Sequence, residues 1–468
     1  MPMARRPSAT VEDLLALLAS GEPMAASTLV QQLGVTRPVV LRLLREAGDR
    51  VLQVGNARAT RYLARADSDA GNAWPLWRMR PDGTVEELGS VYLLRGERFQ
   101  FLAAGERPNL LHPVDAMPGH FPGLPWFLDD LRPQGFLGRN LAHRLGPTLG
   151  VPTDLNRWRQ RDVLLAITRT GGTHIGDLLL GSTALQLALA EANSPSDALA
   201  AGERPQRYSA WAEDALAGEE VGSSPGGEQP KFTSTVLDAG ERYAALVKFA
   251  LRDGQQATTR WADLLVCEHL ALQSLAAHGL AAAASELVEA ERHLCLEVRR
   301  FDRTPGHLGR HGFVSLQSLD AAFLGSGERD WGLVGEQLLQ SGWITPDTAR
   351  DMAVLHWFGR LIGNSDMHPG NLGFHLVDAG PLPLAPAYDM LPTYLAPSRT
   401  GAVRPAEPLV LASPERGGQA THIARAAAAA IDFWETVADS ARIRSEEVRA
   451  AARANRDVVA RFARTFAA

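Results

Sequence analysis

Lysine is almost absent from this chain, since only Lys231 and Lys248 among its 47 basic residues are lysines. Cysteine is equally scarce: the two residues present exclude a disulfide framework and a cysteine-rich metal site, and favour a reducing cytosol. No apolar run approaches the roughly 18 residues of a membrane-spanning helix, and no apolar signal core follows the basic start of the sequence. We therefore expect a cytoplasmic protein with no membrane segment.

The two lysines stand where positive charge alone does not explain them. Lysine is a compact point charge with three rotatable donors, whereas arginine is a rigid planar fork. Lys231 ends the glycine-rich run Gly222–Lys231, and Lys248 ends the apolar run Tyr243–Val247, which predicts a strand. Chance retention would explain two lysines taken alone, but both positions suit a phosphate-binding site.

Length and charge indicate more than one domain. The 468 residues are 45% hydrophobic and 21% charged, so the chain can bury sizeable cores. The net charge of −6 is uneven, because residues 1–66 carry nine arginines and five acids (+4), which leaves −10 for the remainder. This distribution predicts that any nucleic-acid contact is confined to residues 1–66.

The first 66 residues predict three helices followed by a β hairpin. Thr10, Ser27 and Thr36 are suitable helix starts, and Val51–Val54, a Gly55-Asn56 turn and Ala57–Leu63 form the hairpin pattern. This order resembles the winged helix-turn-helix DNA-binding domains. The resemblance implies DNA contacts from the third helix and from the wing, by Arg37, Arg42, Arg45, Arg58 and Arg61. A small interaction module with a solvated basic face is the alternative.

The sequence between the head and the C-terminal half gives a coarser outline. Residues 67–76 read as a linker, and Trp77–Ala103 predicts a small antiparallel sheet. Residues 118–150, rich in Pro, Gly and aromatics, predict packed irregular structure, and residues 193–229 predict a partly mobile stretch. Two long helices are expected at about 421–438 and 445–466.

The pattern with the clearest chemistry lies at residues 362–389. Asp366 and Asn371 are five apart, as in the Asp-x4-Asn catalytic loop of protein kinases, and Asp389 follows beyond an expected hairpin of Leu372–Val377 and Leu382–Ala387. A carboxylate can accept a hydroxyl proton, and an amide oxygen can bind Mg²⁺. Glu268, on an expected helix over Trp261–Ala276, is the candidate partner of Lys248. Each residue alone has a structural explanation, as a cap or turn, but the ordered set predicts phosphate transfer.

Five segments together resemble the HipA-type serine/threonine kinases, which are toxins of bacterial toxin–antitoxin modules. They are Ser224–Lys231, Leu246–Lys248, Val298–Arg303, Gly363–Asn371 and Ala387–Asp389, with weaker support from Gly123–Phe127. The resemblance spans roughly residues 77–440 in family order. It implies an α+β, two-lobed, protein-kinase-like fold, with an N-lobe over 77–298, a helical C-lobe over 299–468 and the winged helix-turn-helix domain over 1–66.

The resemblance also implies the cofactors and the site. ATP and Mg²⁺ would be used, with Asp366 as general base and Asn371 and Asp389 holding the metal. The ATP-binding residues it implies are Gly226, Gly227, Glu228, Gln229, Lys231, Lys248, Arg299, Arg300, Phe301, His368, Asn371 and Asp389. Ser224 matches the serine that is autophosphorylated in the family, with Ser223 beside it. A phosphate there would add about −1.5 to −2 charge beside a phosphate site.

The family also implies partners: ATP, and a protein substrate such as an aminoacyl-tRNA synthetase or another translation factor. The winged helix-turn-helix resemblance adds DNA, bound through residues 1–66. A homodimer and a separate antitoxin are left open. Two features depart from the family, since Arg299 occupies a hinge position that is commonly acidic and the DNA-binding head is fused to the kinase. Two alternatives remain: a small-molecule kinase of the aminoglycoside-phosphotransferase kind, and a transcriptional regulator whose kinase fold senses a ligand.

Overall fold

The computed structural model describes residues 9–68, 71–111, 117–194, 198–217, 229–306, 309–398, 400–414 and 417–466. Most of the expected glycine-rich loop, including Ser223, Ser224, Gly226, Gly227 and Glu228, lies outside these residues. The described chain forms a small head, a middle sheet and two lobes around a cavity. Within the described residues, no helix has the length and apolar character needed to cross a membrane.

The head consists of three helices and a hairpin, in the expected order: α1 (Val11–Leu17), α2 (Ala26–Leu33), α3 (Arg37–Ala47), β1 (Val51–Val54) and β2 (Arg61–Ala64). Thr10 starts α1 in a reciprocal capping box, because its hydroxyl accepts from the Asp13 amide while the Asp13 carboxylate accepts from the Thr10 amide. Leu14, Leu29 and Val40 are fully buried between the helices. The expected return strand is too long, since Ala57–Ala59 form a 3₁₀ turn and β2 begins only at Arg61.

The middle sheet is antiparallel and five-stranded, in the order β6-β5-β4-β3-β7. Its elements are β3 (Ala73–Met79), β4 (Val85–Leu93), β5 (Phe99–Ala103), β6 (His120–Phe121), α4 (Gly135–Leu149), α5 (Gln160–Arg169), β7 (Leu178–Leu180) and α6 (Ser182–Ala192). The expected linker over 67–76 is therefore too long, because β3 begins at Ala73. The expectation of irregular structure over 118–150 is wrong for its second half, where α4 forms.

The head is packed directly against the middle sheet. One face of the β1–β2 hairpin, with Leu52 and Leu63, is buried with Leu94. Gly21 and Gly96 face each other's loops, and a side chain on either would collide with backbone atoms of the opposite loop. Both glycines also have positive φ, which other residues adopt at a cost. This close backbone contact fixes the head on the body.

The N-lobe is a second five-stranded sheet, in the order β11-β12-β10-β9-β8, flanked by helices. Its elements are β8 (Leu199–Ala200), α7 (Arg204–Ala217), β9 (Lys231–Asp238), β10 (Glu241–Leu251), α8 (Gln256–Ala277), β11 (Ser285–Glu289) and β12 (His293–Arg299). Helix α8 packs on β10 and β12 and begins five residues before the expected start. Helix α7 falls within the stretch expected to be partly mobile, and it is ordered by burial of Tyr208 and Ala212 against the sheet.

The C-lobe is mainly helical. It comprises β13 (Val314–Ser315), α9 (Leu316–Leu319), α10 (Trp331–Gln340), α11 (Pro346–Leu361), β14 (Gly373–Phe374), α12 (Ala420–Asp439) and α13 (Glu446–Arg464). The two expected closing helices are confirmed within two residues. The expected hairpin over 372–387 is mostly extended coil, because β14 has two residues and meets the return segment only at the Phe374–Leu384 bridge. Buried side chains of the middle sheet, α8 and the C-lobe helices form one continuous core.

Candidate active site

A cavity of about 540 Å³ lies between the N-lobe, the C-lobe and the first turn of α4. Every described residue that the sequence assigned to nucleotide, metal or base lines it: Gln229, Lys231, Lys248, Arg299, Arg300, Phe301, Asp366, His368, Asn371 and Asp389. The fold thus collects residues from segments more than 150 positions apart into one site.

Lys248 lies at the centre of a buried ion cluster in this cavity. Its ammonium donates to both carboxylate oxygens of Glu268, at 2.6 and 2.7 Å, and also to the carboxylate of Asp389. Burial disfavours the charged lysine, but Asp389 and Glu268 outweigh it and raise the pKa of Lys248. The expected pairing of Lys248 with Glu268 is present, with Lys248 3% and Glu268 0% exposed.

The two lysines of the chain are cross-strand neighbours. Lys231 opens β9 and lies opposite Lys248 of β10, so both side chains project from the same side of the sheet into the cavity. Like charges directly opposite each other destabilise a sheet. Here, the carboxylates of Glu268 and Asp389 face the pair. A site that concentrates two cations against acids in this way is suited to binding an anion.

Asp389 is held in the left-handed region, with φ 55°, which is uncommon for a residue other than glycine. Burial disfavours its charged form, but the ammonium of Lys248 outweighs this and lowers the pKa of Asp389 to about 2. Its side chain is still 31% exposed towards the cavity. Asp389 is therefore an ionised carboxylate that a cation in the cavity can reach.

The catalytic-loop pattern begins where α11 ends. Gly363 has φ 73°, and any side chain there would collide with the ring of Tyr394. The next residue, Asn364, joins the two aspartate segments: its amide nitrogen donates to the Asp389 carbonyl at 3.1 Å, and its amide oxygen accepts from the Asp366 amide at 3.0 Å. Asn364 lies within the Gly363–Asn371 segment, and its position in the motif alone does not indicate this bridging role.

Asp366 and Asn371 are tied together across the loop. The Asn371 side-chain nitrogen donates to the Asp366 carbonyl at 2.8 Å, so the amide oxygen is the atom that could bind a metal. His368 accepts from the Gly370 amide at 3.0 Å through Nδ1, so it orders the loop. Asp366 itself is exposed and faces the cavity, where a hydroxyl group can reach its carboxylate.

The segment after β12 forms the opposite wall. Phe301 stacks on Tyr388, with ring centroids 5.7 Å apart. The guanidinium of Arg299 lies 3.9 Å from the ring centroid of Tyr243, and Arg300 pairs with Asp302 at 2.7 Å. Although burial opposes ionisation, Arg300 and its neighbouring arginine lower the pKa of Asp302. The three expected hinge residues therefore line the cavity from fixed positions.

Sequence reasoning missed two further groups at this site. Tyr388 donates to the Gly370 carbonyl at 2.9 Å and so links the Asp389 segment to the catalytic loop. Asp130, from the middle sheet side, accepts from the Ser315 amide at 2.8 Å, and burial raises its pKa. Tyr388 stood beside a residue already singled out, whereas nothing local to Asp130 indicates that it reaches this cavity.

The chemistry of the donor set fits a Mg²⁺ ion carried by ATP. Mg²⁺ usually binds one or two protein oxygens and completes its shell with phosphate and water. The Asp389 carboxylate and the Asn371 amide oxygen are such ligands. Among the described residues, no group of three or more His, Cys, Asp or Glu side chains could hold a metal ion.

The five arginines assigned to DNA lie apart from this cavity, in the head. Arg37, Arg42 and Arg45 are exposed on α3, and Arg58 is exposed in the turn. Arg61 is half-buried and its guanidinium donates to the carbonyls of Arg58 and Thr60 at 3.3 and 3.1 Å, so it stabilises the turn. The exposed arginines on α3 and in the turn form a basic edge, although Arg42 also pairs with Glu46 at 3.7 Å.

Comparisons with known proteins agree with this arrangement. The family model for the HipA-like C-terminal domain matches residues 223–466, and that for the YjjJ-like toxin middle domain matches residues 70–189. Toxin YjjJ of Escherichia coli strain K12 is 36% identical over 436 residues, which cover 92% of this chain and 94% of that protein.

Two solved structures resemble the chain more remotely. One is the HipA toxin of Shewanella oneidensis MR-1 in complex with HipB and operator DNA, at TM-score 0.48 and 14% identity, covering 83% of this chain and 97% of that one. The other is the proinflammatory kinase CtkA of Helicobacter pylori, at TM-score 0.34 and 13% identity, covering 48% and 89%. These two likenesses are too weak to bear on function.

The matched ranges cover the middle sheet, the C-lobe and most of the N-lobe around the cavity, and they define a HipA-like protein. Its particular family is that of the YjjJ-like toxins, to which the chain belongs by 36% identity over nearly its whole length. The resemblance to HipA-type toxins drawn from the sequence motifs is thereby confirmed.

Proposed function

We propose that this chain is a Mg²⁺-ATP-dependent protein kinase that transfers phosphate to a serine or threonine hydroxyl of another protein. The observation that carries the proposal is the cluster of Lys248, Glu268 and Asp389 in one cavity with Asp366 and Asn371. Phosphate transfer needs cations for the phosphates, oxygen ligands for the metal and a positioned base. These groups supply each of the three.

The roles follow from charge and exposure. Lys248, which already contacts one anion in the cavity, binds ATP phosphates, and Lys231 beside it adds a second positive charge. Asp366, exposed in the cavity, takes the proton of the acceptor hydroxyl. The hydroxyl oxygen then bonds to the γ-phosphorus, while the bond between the γ-phosphorus and the bridging β-phosphate oxygen breaks and ADP leaves. Asn371 and Asp389 would hold Mg²⁺, which neutralises the phosphate charge when bound. Asn364 positions both aspartate segments.

Arg300 and Phe301 are proposed to contact the adenine end of ATP. Phe301 is part of a ring stack with Tyr388, and a purine can extend such a stack with offset geometry. Arg299 is engaged with Tyr243, so its backbone would be the part that meets the base. As the family resemblance implies, the acceptor would be a serine or threonine of a protein that acts in translation. Autophosphorylation of Ser224 would inhibit the kinase.

The head carries a second proposed function, DNA binding. The exposed arginines of α3 lie on the third helix of a helix–helix–helix–hairpin unit, where such domains enter the major groove. Arg58 lies at the tip of the hairpin and would reach the phosphate backbone. The DNA-binding element would thus be part of the toxin chain itself.

The primary experiment is incubation of the full chain, first stripped of phosphate, with Mg²⁺-ATP. Wild type is compared with Asp366→Ala by intact mass and by mapping of phosphorylated residues. We expect phosphate on the wild type alone, at Ser224 or Ser223, and transfer to a protein acceptor. Retained ATP binding without any phosphate transfer would contradict the proposal and favour a ligand-sensing regulator. Phosphate found only on a small molecule would favour the aminoglycoside-type alternative.

A further inference from the structure

A groove of about 350 Å³ lies outside the catalytic cavity, between α4, α6 and the loop that follows α5. Three leucines and two arginines define its walls, with a threonine at the end nearest the cavity: Leu141, Arg144, Leu145, Leu187, Arg169 and Thr173. We call it the α4 groove. No step proposed above uses it.

The α4 groove adjoins the catalytic cavity. Thr173 lines both, and α4 lines the cavity with its first turn and the groove with later turns. Leu137, Leu141, Arg144 and Leu145 fall at i, i+4, i+7 and i+8, which places them on one face of the helix. An extended chain lying on this face would therefore run from the groove to the cavity that holds Asp366.

Leucine side chains are partly exposed to solvent along this face of α4 and across the groove from it. Leu137 is 39% exposed at the mouth of the cavity, and Leu187 is 43% exposed across the groove. Leu141 and Leu145 are half-buried between them. A line of part-exposed leucines at helical spacing is what a binding face presents, whereas a solvated helix face carries charged residues there.

The charge of the groove is one-sided. Arg144 and Arg169 are exposed, and neither forms an ion pair within the described part of the chain. No carboxylate belongs to the described lining. The carboxylate of Glu191 lies beside Gly172 of the loop and faces Arg310 at 3.6 Å. The groove thus offers two positive charges to an incoming ligand.

We propose that the α4 groove binds a segment of the acceptor protein in which leucine-like and acidic residues alternate, and that it guides the adjoining serine or threonine to Asp366. The inference rests on the proposed kinase function and adds the class of substrate. The apolar side chains would pack on the leucines, and the carboxylates would pair with Arg144 and Arg169. Each such exposed charge pair contributes modestly, so two of them give a preference of about tenfold.

The test uses the full chain and a pair of short fluorescent peptides. One has a serine followed by alternating leucine and glutamate residues, and its twin has lysine in place of glutamate. Binding is measured by fluorescence polarisation, which requires no catalysis. We expect wild type to prefer the glutamate peptide about tenfold and the double variant Arg144→Glu/Arg169→Glu to prefer the lysine peptide. Arg157→Glu, an exposed arginine outside the groove, is the matched control and should behave as wild type.

A second variant and a kinetic readout separate the outcomes. Leu187→Ser should weaken both peptides equally, and Arg144→Glu/Arg169→Glu should raise KM for the glutamate peptide as acceptor while kcat and ATP affinity stay unchanged. The groove assignment would be overturned if the wild type bound neither peptide. It would also be overturned if the double variant kept the wild-type preference for the glutamate peptide. A groove that only joins two copies of this chain, seen as dimerisation abolished by the double variant, would overturn it as well. If the peptide preference reverses in the double variant as expected but no phosphate is transferred, the groove assignment is supported and only the kinase proposal is contradicted.

Discussion

Replacing Lys248 by methionine tests the ion cluster most directly, because methionine keeps the length of the side chain and removes its charge. The wild-type pKa of Asp389 is lowered from 3.8 to about 2, and one pKa unit corresponds to about 1.4 kcal/mol. Allowing for its partial exposure, the facing cations, Lys248 first and Lys231 second, stabilise this carboxylate by about 2 kcal/mol. Glu268 is fully buried and would lose its partner as well. Breaking a buried pair from one side typically costs about 3–5 kcal/mol.

The stability difference between the wild type and Lys248→Met should depend on pH. In the wild type, the lowered pKa of Asp389 contributes stability that is fully present above the unfolded value of 3.8 and is lost as pH falls towards 2. In the variant, Lys248 no longer offsets the burial that raises the pKa of Glu268, and only the more distant charge of Lys231 still opposes it. A carboxyl group with a raised pKa destabilises the folded state as pH rises above its unfolded value. The difference between the two proteins should therefore widen from about pH 5 to about pH 8.

The assay is urea denaturation followed by tryptophan fluorescence at both pH values. We expect Lys248→Met to lose about 3–5 kcal/mol at the higher pH and at least about 1 kcal/mol less at the lower one. Lys231→Met is the matched control, since it removes the only other lysine, which is partly exposed, and should cost less than about 1 kcal/mol. An equal loss at both pH values, or an equal loss for the two lysines, would refute the account of the cluster.

Four further outcomes follow from single residues. Asn364→Ala removes the amide that joins both aspartate segments and should lower kcat for phosphate transfer at least about tenfold. The measurement is the transfer of radiolabelled phosphate from ATP to a protein acceptor. Gly363→Ala should lower stability by about 2 kcal/mol or more, because it meets both a positive φ and a ring, whereas Gly342→Ala meets only the positive φ and should cost about 1 kcal/mol in the same denaturation assay. Phe301→Ala should weaken ATP binding measured by calorimetry about tenfold, and Phe301→Leu less. Arg42→Gln should reduce the slope of log K for DNA against log salt by about one unit, and an unchanged slope would argue against contact of α3 with phosphate.

The site residues that could be predicted from sequence are those that belong to short motifs with fixed spacing. The Asp-x4-Asn spacing fixes Asp366 and Asn371 on one loop, and the rarity of lysine singled out Lys248. The helix expected around Glu268 forms, and α8 begins five residues before its expected start. Such signals survive because a loop length or a helical repeat is set within a few residues of sequence.

The rest depends on contacts between distant segments. Helix α4 was read as irregular from its glycines, yet Gly138 is required because the helix lies closely against Pro133. Arg61 was assigned to DNA from its charge, but its guanidinium is used by the turn beside it. Asp130 enters the cavity only through the packing of the middle sheet on the C-lobe. A pattern of single residues does not encode these choices, since tertiary packing overrides local preference.

The pairing of Lys231 with Lys248 in one cavity has a consequence for covalent labelling. Apart from the N-terminal amine, the chain offers amine-directed reagents and acylating enzymes no other primary amine than these two. Lys248 is enclosed by two carboxylates, so Lys231 is the more accessible of the pair. Any lysine acylation of this protein that neutralises charge at Lys231 would therefore alter the proposed nucleotide-binding cavity itself, and not a remote surface.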